Sequence, residues 1–179
     1  RFTVKPITIR QHEEETSMMK LEEIGTRARQ AEPVLRIMET EKKNRVLKKA
    51  AENLVADAET IIAANALDME HGREKGMSKG LLDRLFLDQS RIEAMAEGLC
   101  QVSELDDPIG EVLGMKKRPN GLLIGQKRVP LGVIGIIYEA RPNLTADAFA
   151  LCFKTGNAVI LRGGSDAICS NQAIVDASR

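Results

Sequence analysis

The sequence predicts an α/β protein in which a helical front leads, through a two-stranded hairpin, into the start of a Rossmann-like parallel sheet. Three observations predict it. Apolar residues recur every three or four positions from residue 21 onward and then, from residue 112, every second position. Of the 52 charged side chains, residues 1–118 hold 42 and residues 119–179 hold 10, the contrast expected when solvated helices precede parallel strands covered on both faces. The last third reads strand, helix, strand, Gly-rich turn and helix, a βαβ unit that needs parallel strands and a right-handed crossover.

Composition narrows the function classes. The chain has 179 residues, 43% of them apolar and 29% charged, enough for one well-buried core. Acidic and basic residues balance at 26 each, so no global field points to nucleic acid or an anionic membrane. No apolar run approaches the roughly 18 residues of a spanning helix. Cys100, Cys152 and Cys169 form neither a CxxC pair nor an even set, which argues against a zinc site and a disulfide framework and for a reducing, cytoplasmic setting.

Residues 1–18 carry no periodic face and read as a disordered leader. The purine-rich codons of Glu13, Glu14 and Glu15, just before Met18, resemble an in-frame ribosome-binding site and predict initiation at Met18 or Met19. Residues 19–179 then form one partial nucleotide-binding domain. Leu21, Ile24, Ala28 and Ala31 share a helix face that Pro33 ends or kinks. Thr40 is the expected cap of a long helical stretch carrying Val46, Leu47, Ala50, Leu54, Val55, Ala58, Ile61 and Ile62, with Gly72 as its stop. Charge runs such as Glu41 to Lys43 read as solvated faces. After a Gly-rich link and a short apolar turn, Leu81 to Leu87, Asp88 or Ser90 caps a helix that packs through Ile92, Met95, Ala96, Leu99 and Val102.

Asn120-Gly121 between two alternating runs predicts the hairpin, an arm spanning 111–130. Its faces mix apolar residues with Lys116, Arg118, Gln126 and Arg128, so half of it is expected to stay uncovered unless a partner subunit or plain solvation serves. Gly132 to Tyr138 is an apolar strand, Asn143 to Gly156 a helix, and Asn157 to Leu161 a second strand.

Ligands of open parallel sheets sit beyond the carboxyl ends of the strands, which selects two segments: Tyr138 to Thr145, YEARPNLT, and Arg162 to Ala167, RGGSDA. Arg141 has the planar fork that suits a carboxylate or phosphate, or a surface ion pair. Asn143 either steadies a developing oxyanion or caps the next helix. The two glycines open a strand-to-helix turn whose free N–H groups and helix dipole favour an anion, with Arg162 adding positive charge. No complete GxGxxG or P-loop accompanies them. The three thiols read as small buried side chains.

The stretch GVIGIIYEARPNLTADAFALCFKTGNAVILRGGSDA is similar to the signature region of the gamma-glutamyl phosphate reductases, within the aldehyde dehydrogenase superfamily. The resemblance extends back through RPNGLLIGQKRVPLGV and ANALDMEHGREKGMSKGLLDRL to about Met19. It implies an aldehyde-dehydrogenase-like fold and the NADPH-dependent reduction of L-glutamyl 5-phosphate to L-glutamate 5-semialdehyde in proline biosynthesis. In that reaction an enzyme cysteine attacks the acyl phosphate, phosphate leaves, and hydride reduces the thioester. The resemblance places Asn143 where the superfamily keeps its oxyanion-stabilising asparagine. Arg162 falls where relatives hold a lysine near the adenine ribose, and Ser165 where NAD-preferring relatives often hold an acid. That pattern implies NADP(H), held by Tyr138, Glu139, Ala140, Arg162, Gly163, Gly164 and Ser165, although Asp166 follows directly. Arg141 is the implied substrate residue, and the implied partners are further copies of the chain through the hairpin arm and an upstream glutamate kinase.

None of the three cysteines matches the family nucleophile, and the chain covers roughly two fifths of the expected length. The resemblance therefore implies that this polypeptide alone is inactive. The alternative is a catalytically dead nucleotide-binding or oligomerisation fragment. A reductase acting on a CoA thioester is disfavoured by YEARPN and LRGG.

Overall fold

A computed structural model describes residues 7–8 and 21–179. Among the described residues the order is β1 (Ile7–Thr8), α1 (Leu21–Arg36), α2 (Thr40–Ala56), α3 (Ala58–Glu74), α4 (Lys79–Leu85), α5 (Gln89–Glu104), β2 (Val112–Lys117), β3 (Leu123–Lys127), β4 (Val133–Ile137), α6 (Asn143–Lys154), β5 (Ala158–Arg162), a 3-10 turn (Ser165–Ala167) and α7 (Ile168–Ala177). The strands β1, β5 and β4 lie side by side in that order, all parallel, with Val133 opposite Ala158 and Ile137 opposite Arg162. The expected α/β class and βαβ unit are both present.

Within the expected leader, Ile7 and Thr8 run parallel to Ile160 and Leu161. The alternation of apolar and polar residues there is the signal for it. The rest of the leader, including the proposed start at Met18 or Met19, lies outside the described residues.

Helix α2 packs lengthwise on α5, and both pack on α6. Leu47, Leu54, Ile92, Leu99, Ala150 and Ile174 are sealed in the shared core. The long helical stretch divides at Asp57, which ends α2 and begins α3. Pro33 stands inside α1, three residues before its end, so it neither stops the helix nor contributes a donor there. Glu39, not Thr40, is the residue before α2, and the Thr40 hydroxyl instead donates to Asp107 Oδ2 at 2.9 Å. Gly72 does not stop α3. It is buried, because a Cβ there would meet Met77 Sδ at 2.8 Å, and the left-handed exit falls on Gly76. Asp88 caps α5 as expected, accepting from Arg91 N at 2.8 Å.

Lys43 overturns the reading of Glu41 to Lys43 as solvated. Its side chain is buried and pairs with the part-buried Asp107, whose side chain is 8% exposed, at 2.8 Å. The helical period places it on the core face, four residues before Leu47. Asp107 also accepts from Ile109 N at 3.0 Å. Burial alone would raise its pKa, but the hydrogen bonds from Lys43, Ile109 N and Thr40 and the Lys43 charge outweigh this and hold it below the ordinary carboxylate value. Nearby, the buried Lys154 donates to Asn44 Oδ1 at 2.6 Å and Ser103 O at 3.0 Å, tying α6 to α2 and α5.

The hairpin forms with β2 antiparallel to β3 and an irregularity between Val112 and Gly114. Its turn is one residue longer than a two-residue Asn-Gly loop. Gly121 N donates to Arg118 O at 2.9 Å, Asn120 keeps a negative φ, and Gly121 takes the left-handed conformation at φ 88°. Both strands are exposed along their whole length, so the arm is not half-buried as expected; it packs extensively on no other element. Strand β4 differs too. The sheet was expected to be covered on both faces, but Val133, Gly135 and Ile137 are exposed. Helices α1 and α6 pack on β5 far more than on β4, which leaves one face of that strand open.

Candidate functional site at the strand tips

The two chemistry-bearing segments meet where β4 and β5 end. Tyr138 N donates to Arg162 O at 3.1 Å, continuing the ladder one residue past β4 to the end of β5. The glycines let the segments close up. A Cβ on Gly163 would collide with the Asn171 amide and lie 3.2 Å from the Tyr138 ring, and one on Gly164 would lie 3.2 Å from Ala140 N. Tyr138, Ala140, Gly163 and Gly164 are thus one packed unit, with Glu139, Arg162 and Ser165 exposed around it.

A buried chain of hydrogen bonds anchors that unit. The Thr145 hydroxyl donates to Asn171 Oδ1 at 2.9 Å, which leaves its oxygen to accept the Tyr138 hydroxyl at 2.6 Å. Burial raises the Tyr138 pKa, partly offset by the bond to Thr145. Thr145 and Asn171 belong to the site's support; Thr145 closes the selected strand-tip segment without a role of its own, and Asn171 carried no sequence signal beyond being a polar residue in an apolar helix.

At the amino end of α7 two N–H groups are already bound within the protein: the buried carboxylate of Asp68 on α3 accepts from Cys169 N at 3.2 Å and from Ser170 N at 2.7 Å. Asp68 also accepts from Ser170 Oγ at 2.6 Å, and Ser170 Oγ accepts from the buried Asn65, whose Oδ1 holds Leu87 N. The protein supplies its own anion at that helix end. Arg162 remains: its guanidinium makes no ion pair among the described residues, and the neighbouring Asp166 is bound to Lys75 at 2.8 Å.

Asn143 is the first residue of α6, but Pro142 precedes the helix and no side chain caps it. The capping reading of Asn143 therefore has no bond behind it. Its exposed amide instead lines a cavity of about 320 Å³ between α6 and the α4–α5 corner, together with Arg84, Phe86, Arg91, Met95 and Asp147. None of Cys100, Cys152 and Cys169 lines it. Cys152 is buried and its thiol is pushed up, while the other two are half-buried rather than fully so. Arg141 donates its backbone N–H to Glu139 O at 2.8 Å, and its Nε is buried with no hydrogen-bond partner among the described residues.

This architecture recurs in solved structures. The chain superposes with a TM-score of 0.81 on the Thermotoga maritima gamma-glutamyl phosphate reductase, at 47% identity, over 84% of this chain and 36% of that one. The Saccharomyces cerevisiae enzyme of the same name gives 0.81 at 34% identity, over 87% and 40%. An NAD-dependent benzaldehyde dehydrogenase from Corynebacterium glutamicum, 19% identical with a TM-score of 0.62 over 85% of this chain and 32% of that one, shares the fold. The fold is therefore that of the aldehyde dehydrogenases. Among curated proteins, gamma-glutamyl phosphate reductases from Clostridium tetani and Heliobacterium modesticaldum are 61% identical over 150 residues and 63% over 153. These matches cover 84% and 86% of this chain. No family model matches. Within that class the chain belongs to the gamma-glutamyl phosphate reductase family, and it spans 35% and 37% of the length of those two relatives.

Proposed function

We propose that the protein to which this chain belongs reduces L-glutamyl 5-phosphate to L-glutamate 5-semialdehyde, releasing phosphate, with NADPH as reductant, in the proline-forming pathway. The observation that carries this reading is the 61% identity to a gamma-glutamyl phosphate reductase across 84% of the chain. NADPH would supply hydride, and the residues present suit it. Arg162 is an exposed cation without an ion-pair partner among the described residues, and Asp166 is neutralised by Lys75. That combination favours a 2'-phosphate over a bare ribose. Gly163, Gly164 and Ser165, with Tyr138 to Ala140 beside them, would form the floor of that subsite. Asn143 would donate to the acyl oxygen as charge develops on it, and Arg141 would meet the substrate's phosphate or carboxylate. The nucleophilic cysteine is assigned outside this chain, since no thiol here lines the cavity. The exposed hairpin fits an oligomerisation arm, because an isolated two-stranded ribbon is marginal in water. A cytoplasmic enzyme fed by glutamate kinase completes the reading.

The test is NADPH formation from glutamate 5-semialdehyde, NADP and phosphate by the complete protein. Turnover that requires phosphate is expected; its absence overturns the assignment. In the same assay Arg162→Gln is expected to raise KM for NADP by about tenfold or more while leaving KM for NAD unchanged, as loss of one charge-assisted bond to phosphate requires.

A further inference from the structure

The cavity beside Asn143 has a charge pattern that the acyl chemistry does not use. Asp147 lies one helical turn after Asn143 on the same face of α6. It is the sole charged residue between Arg141 and Lys154 in an otherwise apolar helix. Its carboxylate is half-buried, faces α5 with Oδ1 3.7 Å from where a Cβ on Gly98 would stand, and has no hydrogen-bond or ion-pair partner among the described residues. Burial raises its pKa with nothing opposing. A carboxylate in that position gains most from a cation brought by a ligand.

The opposite wall carries two arginines in different states. Arg91 is already committed: it donates to Asp83 O, to Phe86 O at 2.9 Å and to Asp83 Oδ1 at 2.8 Å, and it stacks on the Phe86 ring at 5.5 Å. Arg84 is exposed and has no such partner among the described residues. Phe86, Leu87 and Met95 give the space between them an apolar floor. One open anion, one open cation, an apolar floor and an amide at the same cavity match a zwitterionic amino acid with a short aliphatic chain ending in an acyl group. A volume of about 320 Å³ is at the lower end for a small-molecule site.

We propose that this cavity binds the amino-acid end of the substrate, with Asp147 receiving the α-ammonium and Arg84 the α-carboxylate, so that the acyl carbon reaches Asn143. The assignment rests on the function proposed above and adds what selects the glutamyl group over an acyl phosphate lacking the amine. Asp147 and Arg84 are binding residues here, not participants in hydride transfer.

The experiment compares glutamate 5-semialdehyde with 5-oxopentanoate, the same aldehyde without the α-ammonium, in the complete protein with NADP and phosphate. The parent should prefer the amino aldehyde. Asp147→Asn should lower kcat/KM for it by about tenfold to a hundredfold, the worth of one hydrogen bond to a charged group. That loss should appear as raised KM, with KM for NADP and kcat/KM for 5-oxopentanoate unchanged, so that the preference collapses. Asp147→Glu should restore part of it. Arg84→Gln, at an exposed position that folding tolerates, should weaken both aldehydes alike. An unchanged preference in Asp147→Asn, or an Arg84→Gln variant with the parent's kcat/KM for both aldehydes, overturns the assignment while leaving the function standing. A parent protein without turnover of glutamate 5-semialdehyde overturns both.

Discussion

Asp68→Ala is expected to destabilise the protein by about 3–5 kcal/mol, the sum of one lost helix cap and at least one buried donor left unsatisfied. Asp68 is 2% exposed and Ser170 is fully buried. Its three donors are two backbone N–H groups at the start of α7 and the Ser170 hydroxyl. The two donors of the fully buried Ser170 have no water to turn to once the carboxylate is gone. Asp68→Asn keeps the shape and one acceptor oxygen but turns an amide toward a donor, so about half the loss is expected. Urea unfolding followed by circular dichroism measures both, and hydrogen exchange at Cys169 and Ser170 should quicken in step. A loss below about 1 kcal/mol for Asp68→Ala would mean that the cap is dispensable.

Lys43→Met should cost about 3–5 kcal/mol near neutral pH, because it strands a largely buried carboxylate whose charge partner is gone. The pH dependence separates this from a simple packing defect. In the parent, the folded-state pKa of Asp107 lies below its unfolded value. Its contribution is therefore complete above the unfolded value and is lost as pH falls through the lower folded one. Without Lys43 the largest influence left is burial, which raises the pKa. The ionised form is then penalised in the fold, and acid relieves the penalty. The stability gap between parent and Lys43→Met should consequently narrow as pH is lowered from 7 toward 4. A gap that stays constant across that range would assign the loss to the missing aliphatic stem.

What could be read from the sequence follows the length of its signals. The switch from a 3.6 to a 2 period, the Asp88 cap, the hairpin and the βαβ unit all rest on runs of neighbouring residues, and the structure contains each. Long-range partners were not legible. Nothing local marks Lys43 as buried, since its counter-charge stands 64 residues away, and the anion at α7 comes from Asp68, 102 residues from Ser170. Asp147 was passed over although its signal is local: a lone carboxylate in LTADAFALCF departs from an otherwise apolar helix. The open face of β4 could not be foreseen, because an apolar strand reads the same whether or not a second layer covers it.

Tyr138 is the chain's single tyrosine, and there is no tryptophan. Its ring touches the place where the two strand tips close on each other, and its hydroxyl is the outer member of the Thr145–Asn171 relay. Near-ultraviolet emission from this polypeptide therefore arises at one address, without labelling. Any event that parts Gly163 from Tyr138 or dislodges Thr145 alters the quantum yield of a lone fluorophore, so an ordinary fluorimeter can follow that junction during unfolding.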